Sequence, residues 1–185
     1  GGAISTAGVD GGNGLVVIAY ETATTSVLTS TPGRLGSAID LDGINDYVDI
    51  GATGQTVKTV AFWIKADSLT EDILDLNGTA DVTVSAGTIS ANSFTSPTIY
   101  VDGEVSSTID TGWRHVVITT ATGISASNMD IGRANGAYFD GALDDVRIYN
   151  RVLSATEITR LAELGMTTKI SNTIYSNPEL ESGLL

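Results

Sequence analysis

Two short stretches concentrate hard oxygen donors. Asp40, Asp42, Asn45 and Asp46 lie close together, and so do Asp140, Asp144 and Asp145. Calcium takes roughly six to eight oxygens from carboxylates, amides and carbonyls, and flexible turns supply them. Asp42, Asn45, Asp46 and Asp144 are therefore the expected calcium ligands, in a structural or ligand-bridging role. The spacing is not that of an EF-hand, because no bidentate Glu stands at the required place. Asp144 shares alternation parity with Val146 and Ile148, which points it inward. An inward carboxylate needs a cation, an arginine such as Arg133 or Arg147, or several N–H donors. The competing reading is that these residues only shape turns.

Sugar recognition asks for different residues: aromatic platforms beside amides or carboxylates. Tyr47, Tyr100, Tyr138 and Tyr149 are available, and 134–136 and 125–128 read as polar loops. Tyr100, Asn135 and Tyr138 are the expected ligand-binding residues. Tyr47 and Tyr149 fall in predicted strands, where covering a sheet face is the commoner role. Trp63 and Trp113 read as core. Covalent chemistry has little to work with. There is no cysteine, the one histidine is His115, and no G-x-S-x-G elbow occurs. His115 lies in an apolar strand pattern and reads as a hydrogen-bonded packing residue. Asp72 and Asp75 share one predicted strand, and their odd offset places them on opposite faces.

Composition narrows the classes further. The chain has 185 residues, 42% hydrophobic but only 17% charged, with a net charge of −13 and nine Lys plus Arg. Such a surface repels phosphate backbones, so nucleic acid is excluded as a partner. It either attracts divalent cations or simply maintains solubility. No apolar run approaches the roughly 20 residues that cross a bilayer, so membrane insertion is not expected. Without cysteine there is no disulfide framework and no thiolate zinc site.

The elements that must carry these residues are mostly strands. β-branched residues and turn formers are abundant, and strong helix formers are scarce. Strands are predicted at 15–20, 38–41, 46–50, 57–65, 72–76, 81–85, 99–101, 112–120, 128–132 and 138–149. The 46–50 segment alternates, with Val48 and Ile50 on one face and Tyr47 and Asp49 on the other. The 57–65 segment is apolar on both faces, as in a central strand covered twice. Asn77-Gly78 and Asp102-Gly103 favour tight hairpins. A single helix is predicted over 154–164. Ser154 and Glu157 form a capping box, Ile158, Leu161, Ala162 and Leu164 an apolar stripe, and Gly165 the stop. Many short strands and one late helix give an all-β sandwich.

Several blocks together resemble bacterial laminin G-like domains. Residues 38–50, reading AIDLDGINDYVDI, are similar to the FDG-x-NDYV-x-I block, with Leu41 in place of the usual Phe. Residues 59–65, TVAFWIK, look like the T-V-x-x-W-(V/I)-K strand, and WRHV at 113–116 like W-H-H-V. IGR at 131–133 and YFDGALDDVRIYNRVLS at 138–154 resemble IGR…YFDG-x-IDDVRIYNRALS. The YVDG hairpin at 100–103 comes before WRHV, although the family commonly places it after.

The resemblance implies a two-sheet antiparallel jelly-roll β-sandwich of the concanavalin A-like class with one short C-terminal helix. It implies a core at 35–165, an N-terminal segment with a first strand at 1–34 and a linker or tail at 166–185. Such modules usually sit in secreted or surface proteins, often in tandem, and bind glycans or proteins. Glucanases of this fold carry carboxylates in an E-x-D-x-E or E-x-D-x-x-E string, and none occurs here. The expectation is a non-catalytic, extracellular recognition or adhesion domain at a cell or virion surface. Its partners would be a glycan or surface protein and neighbouring domains of a longer chain, with calcium assisting. The alternative is a structural spacer or decoration module.

Overall fold

A computed structural model describes residues 28–166 and the backbone of residues 14–16. It is an antiparallel two-sheet sandwich of jelly-roll type with one helix. The elements in chain order are β1 (Gly14–Val16), β2 (Thr29–Pro32), β3 (Ser37–Asp42), β4 (Val48–Gly51), β5 (Thr56–Ala66), β6 (Glu71–Asp75), β7 (Asp81–Ser85) and β8 (Thr88–Asn92). They continue with β9 (Thr98–Val101), β10 (Glu104–Val105), β11 (Arg114–Ser125), β12 (Met129–Ile131), β13 (Arg133–Ala134), β14 (Ala137–Tyr138), β15 (Asp140–Tyr149) and α1 (Ala155–Met166).

The larger sheet runs β10-β9-β11-β5-β15-β3-β2, with β1 also pairing β15. The smaller runs β4-β12-β6-β7-β8, and β13 and β14 form a separate hairpin. The strand predicted at 15–20 is represented by β1, and 17–20 lie outside the described residues, as does the tail after Met166. Besides the two-residue β10 and β13, two longer strands escape the sequence pattern. β2 is a polar edge strand that ends in Pro32, where no ladder N–H is required. β8 follows a tight turn made by Ala86 and Gly87, at φ 48° and 76°. An alanine in that conformation is no turn signal, so the hairpin is invisible in sequence. Asp102-Gly103 does form the expected turn, with φ 54° and 88°. Asn77-Gly78 instead sits in a longer connection closed by Leu76 N–H donating to Ala80 O at 2.8 Å.

The core lies between the sheets. Val60, Phe62, Ile64 and Ala66 of β5 meet Leu74 and Leu76, Val82 and Val84, and Met129 and Ile131 from the smaller sheet. The other face of β5 is also covered, as its apolar pattern requires. Ala61, Val117, Tyr149, Leu153 and Ile158 form a second cluster that docks α1. Burial of this kind contributes about 25 cal/mol per Å² of apolar surface, which fixes a helix too short to persist alone.

The capping box is present. Glu157 accepts from Ser154 N–H at 2.9 Å and from the Ser154 hydroxyl at 2.8 Å, and Arg151 donates to it twice at 3.0 and 2.7 Å. Gly165 does not stop the helix. It lies inside α1, where a Cβ would stand 2.5 Å from Trp63 Cε2 and Cζ2. Absence of a side chain therefore serves close packing, not the helix stop that the sequence suggested.

Candidate functional site

The helix-side face of the larger sheet is closed. Trp63 is fully buried, its ring 5.1 Å from that of His115, with the Arg34 guanidinium 5.0 Å from the indole centroid. His115 Nδ1 has no hydrogen-bond partner, and burial pushes this imidazole down to about 4. It is a packing residue, although the hydrogen bond expected of its side chain is absent at Nδ1. Trp113 is half-buried.

Asp144 belongs to this closed face. A bulge at Asp145, with φ 50° and a register shift between Asp144 and Arg147, reverses the alternation that would have grouped Asp144 with Val146 and Ile148. Leu143 and Ile148 face the core, while Asp144 sits beside Trp63 across the β5 ladder. Its Oδ2 accepts the N–H groups of Arg34 and Leu35, both at 2.7 Å. Of the three ways to satisfy this carboxylate, backbone donors are the one observed. Arg147 pairs with Asp145 at 2.8 Å and Arg133 with Asp130 at 2.7 Å.

Asp42, Asn45 and Asp46 remain together in the β3–β4 turn. Asp42 Oδ1 accepts from Ile44 N–H at 2.9 Å and Asn45 N–H at 3.3 Å, and these bonds hold its carboxyl below the ordinary range. Asp46 is 5% exposed with Oδ1 unpartnered. Burial, then the charges of Asp42 and Asp40, push its carboxyl up. Asp140 lies opposite Asp42 in the ladder, and Asp144 is four residues farther along β15, about 13 Å away at 3.3 Å per residue. The four expected calcium ligands thus divide between two places. Among the described residues no three acidic or histidine side chains converge as a metal-binding group.

The outer face of the smaller sheet has a different character. Val48, Leu74, Leu76, Val82, Val84, Met129 and Ile131 all point into the core, so their neighbours point out. The register sets Asp49 opposite Asp130, Asp130 opposite Asp75, Asp75 opposite Asp81, and Asp81 opposite Asn92. Four aspartates and an asparagine form one row across all five strands. A bulge between Asp72 and Leu74 also brings Asp72 outward, because it pairs Thr83 while Asp75 pairs Asp81. Asp72 and Asp75 therefore share a face, contrary to the parity expectation. Ile73 and Leu74 are consecutive residues of the core, which is the bulge seen from the inside.

One end of this row is aromatic. Gly132, at φ 83°, turns the chain out of β12 into the β13–β14 hairpin, and Asn135-Gly136 at φ 52° and 80° closes it. The hairpin lies against β6. Its turn brings Tyr138 back beside Tyr47, with ring centroids 6.0 Å apart. Arg133 stacks over Tyr47 at 3.8 Å and donates to Asp130 Oδ2 at 2.7 and 3.0 Å. Asn135 Nδ2 donates to Asp72 Oδ1 at 2.8 Å. Asp130 is buried, its Oδ1 has no partner, and desolvation pushes its carboxyl up against the pull of Arg133, with Asp49 and Asp75 adding to the rise.

Of the three expected ligand residues, Asn135 and Tyr138 are thus brought together on one hairpin. Tyr100 lies on the other sheet, packed against the cluster that docks α1. Sequence reasoning did not single out Tyr47, Asp49, Asp130 or Arg133 as one site. The 46–50 alternation already put Tyr47 and Asp49 on one face, but their partnership with β12 depends on strand order.

Residues 83–159 match the concanavalin A-like lectin/glucanases superfamily. This matched stretch agrees with the resemblance read from the sequence blocks, and the two-sheet antiparallel sandwich is the fold that the resemblance implied. No curated protein matches the chain. Among solved structures, domain 4 of AbnA, a GH43 extracellular arabinanase from Geobacillus stearothermophilus in complex with arabinotriose, is similar at 14% identity with a TM-score of 0.49, over 74% of this chain and 82% of that one.

Proposed function

We propose that this chain is a non-catalytic glycan-recognition domain, and that the glycan lies on the outer face of the five-stranded sheet. One observation carries the reading: Tyr47, Arg133 and Tyr138 cluster at the end of a row of carboxylates on the outer sheet face, with Arg133 over Tyr47 and the two rings tilted against each other. Partly exposed rings offer apolar faces to sugar C–H groups, while Asp49 and Asn135, both exposed, offer acceptors and donors for hydroxyls. The lectin branch of the matched superfamily supports the same class of ligand. Recognition at a cell or virion surface, next to further domains of a longer chain, is the setting that such a ligand suggests. The non-catalytic reading is supported by the way the carboxylates are engaged. Asp72 is tied to Asn135, Asp75 Oδ1 takes the N–H groups of Asn77 and Gly78, and Asp130 holds Arg133.

The test is calorimetric titration of neutral, acidic and amino-bearing oligosaccharides into the wild type, Tyr47→Ala and Tyr138→Ala. Binding that both variants weaken supports the face. Binding that neither weakens, or release of reducing ends during the titration, counts against the reading.

A second reading concerns calcium in the β3–β4 turn, favoured by the buried, unpartnered Oδ1 of Asp46. A cation there would cancel the repulsion among Asp40, Asp42 and Asp46 and brace the turn that leads into Tyr47. Melting in calcium and in chelator, with Asp46→Asn as control, tests it.

A further inference from the structure

Asparagine followed by glycine carries a reaction of its own. The glycine main-chain nitrogen gives up its proton to solvent base and attacks the asparagine Cγ. The new N–Cγ bond closes a cyclic imide, the Cγ–Nδ2 bond breaks, and Nδ2 takes a proton from water and leaves as ammonia. Water then opens the imide at one carbonyl or the other, leaving aspartate or isoaspartate. Glycine favours the step because no Cβ hinders the approach of its nitrogen. Among the described residues the pair occurs at Asn77-Gly78 and Asn135-Gly136.

The fold treats the two pairs differently. Gly78 N–H is held by Asp75 Oδ1 at 2.6 Å. Asn77 Oδ1 accepts from the N–H groups of Thr79 and Ala80 at 3.1 and 2.9 Å, and its Nδ2 donates to Ser125 O at 3.2 Å. Nucleophile and electrophile are both tied down. Gly136 N–H, by contrast, has no acceptor among the described residues. Asn135 and Gly136 are exposed, and a Cβ on Gly136 would meet nothing within 4 Å. The Asn135 side chain has one bond, from Nδ2 to Asp72 Oδ1 at 2.8 Å. At φ 52° Asn135 is left-handed, which turns the Gly136 nitrogen away from Cγ, so ring closure waits for the turn to open. Only the pairs Arg133–Tyr138 and Ala134–Ala137 close this hairpin, so that opening is a local event.

We propose that Asn135 is a site of spontaneous deamidation, and that its conversion loosens the hairpin and disables the ligand face. The product puts a carboxylate where an amide donated to Asp72. The hydrogen bond is lost and two like charges face each other across the same contact. Isoaspartate also adds a carbon to the main chain, which a two-residue turn of defined φ does not accommodate. The hairpin starts at Arg133, which covers Tyr47, and returns through Tyr138, so its loosening separates the two rings. The loss of ligand rests on the glycan reading above, whereas the reaction does not.

The experiment incubates the full chain at neutral and mildly alkaline pH and follows Asn135 and Asn77 by peptide mapping with mass spectrometry. A synthetic peptide of residues 131–139 is the unfolded reference. A charge-assisted bond like that on Gly78 slows attack by about tenfold or more. The expected result is that Asn135 converts at least about tenfold faster than Asn77 and more slowly than the peptide, at a rate that rises with pH. Asn135→Asp, made directly, should lower Tm, shift the amides of 130–138 and weaken any oligosaccharide that the wild type binds. An intact Asn135 after the peptide has converted, or Asn77 converting as fast, overturns the site. Conversion with Asn135→Asp matching the wild type in Tm and in those amides overturns the loosening. Conversion and loosening in a chain that binds no sugar overturn the ligand consequence and the glycan reading with it, and leave the modification site standing.

Discussion

Removing the Asp144 carboxylate separates a structural clasp from a metal ligand. Asp144 is 7% exposed and accepts two backbone N–H groups at 2.7 Å from the turn that carries Arg34 onto Trp63. Hydrogen bonds to a charged acceptor contribute about 1.5–3 kcal/mol each. Leu35 is 37% exposed, so water replaces part of its loss in the Asp144→Ala variant. The expected cost is then roughly 2–4 kcal/mol, or a fall in Tm on the order of 5–15 °C for a domain of this size. Asp144→Asn keeps one acceptor oxygen and should lose about half as much. Differential scanning calorimetry in calcium-free buffer measures both. If Asp144→Ala melts within a degree or two of the wild type, or if chelator alone reproduces its fall in the wild type, the clasp is wrong and a cation is the better account.

Other substitutions test other parts of the fold. His115 is 2% exposed with its imidazole lowered to about 4. The unfolded chain binds that proton first, so stability is full above about pH 6.5 and falls by about 3 kcal/mol as pH drops toward 4. His115→Gln should flatten that loss in urea titrations at pH 7, 5.5 and 4. The raised carboxyls of Asp46, Asp130 and Asp145 act in the opposite sense, since the folded state holds their protons more tightly as pH falls. Gly165→Ala forces a methyl against Trp63 and should cost about 1–3 kcal/mol, seen as a lower Tm and an altered near-ultraviolet tryptophan signal. Asp46→Asn should raise stability in chelator by removing a buried, unpartnered charge. Calcium should then stabilise the wild type and not the variant if the turn holds the ion.

The parts legible in sequence are those set by local chemistry. Ser154 and Glu157 announced α1, Asp102-Gly103 a tight turn, and the doubly apolar 57–65 segment a strand covered on both sides. The errors share one cause. Parity arguments assume an unbroken ladder, and bulges at 72–74 and at Asp145 moved Asp72 and Asp144 to faces that counting did not predict. Nothing in either stretch marks a bulge, which adds one residue to one strand of a pair and shows only in the register with its neighbour. The candidate face was hidden for another reason. Asp49, Asp75, Asp81 and Asp130 lie far apart in the chain, and only strand order places them in one row. The local pair Asn135 and Tyr138 was visible, whereas Tyr100, chosen on residue type alone, went to the other sheet.

Chemical-shift mapping on the ¹⁵N-labelled protein tests the central claim most directly. Titration with an oligosaccharide that binds should move the amides of 47–49, 72–75 and 130–138 and leave those around Tyr100 and α1 in place. Shifts centred on Tyr100 and α1, with the hairpin and the aspartate row unmoved, would contradict it.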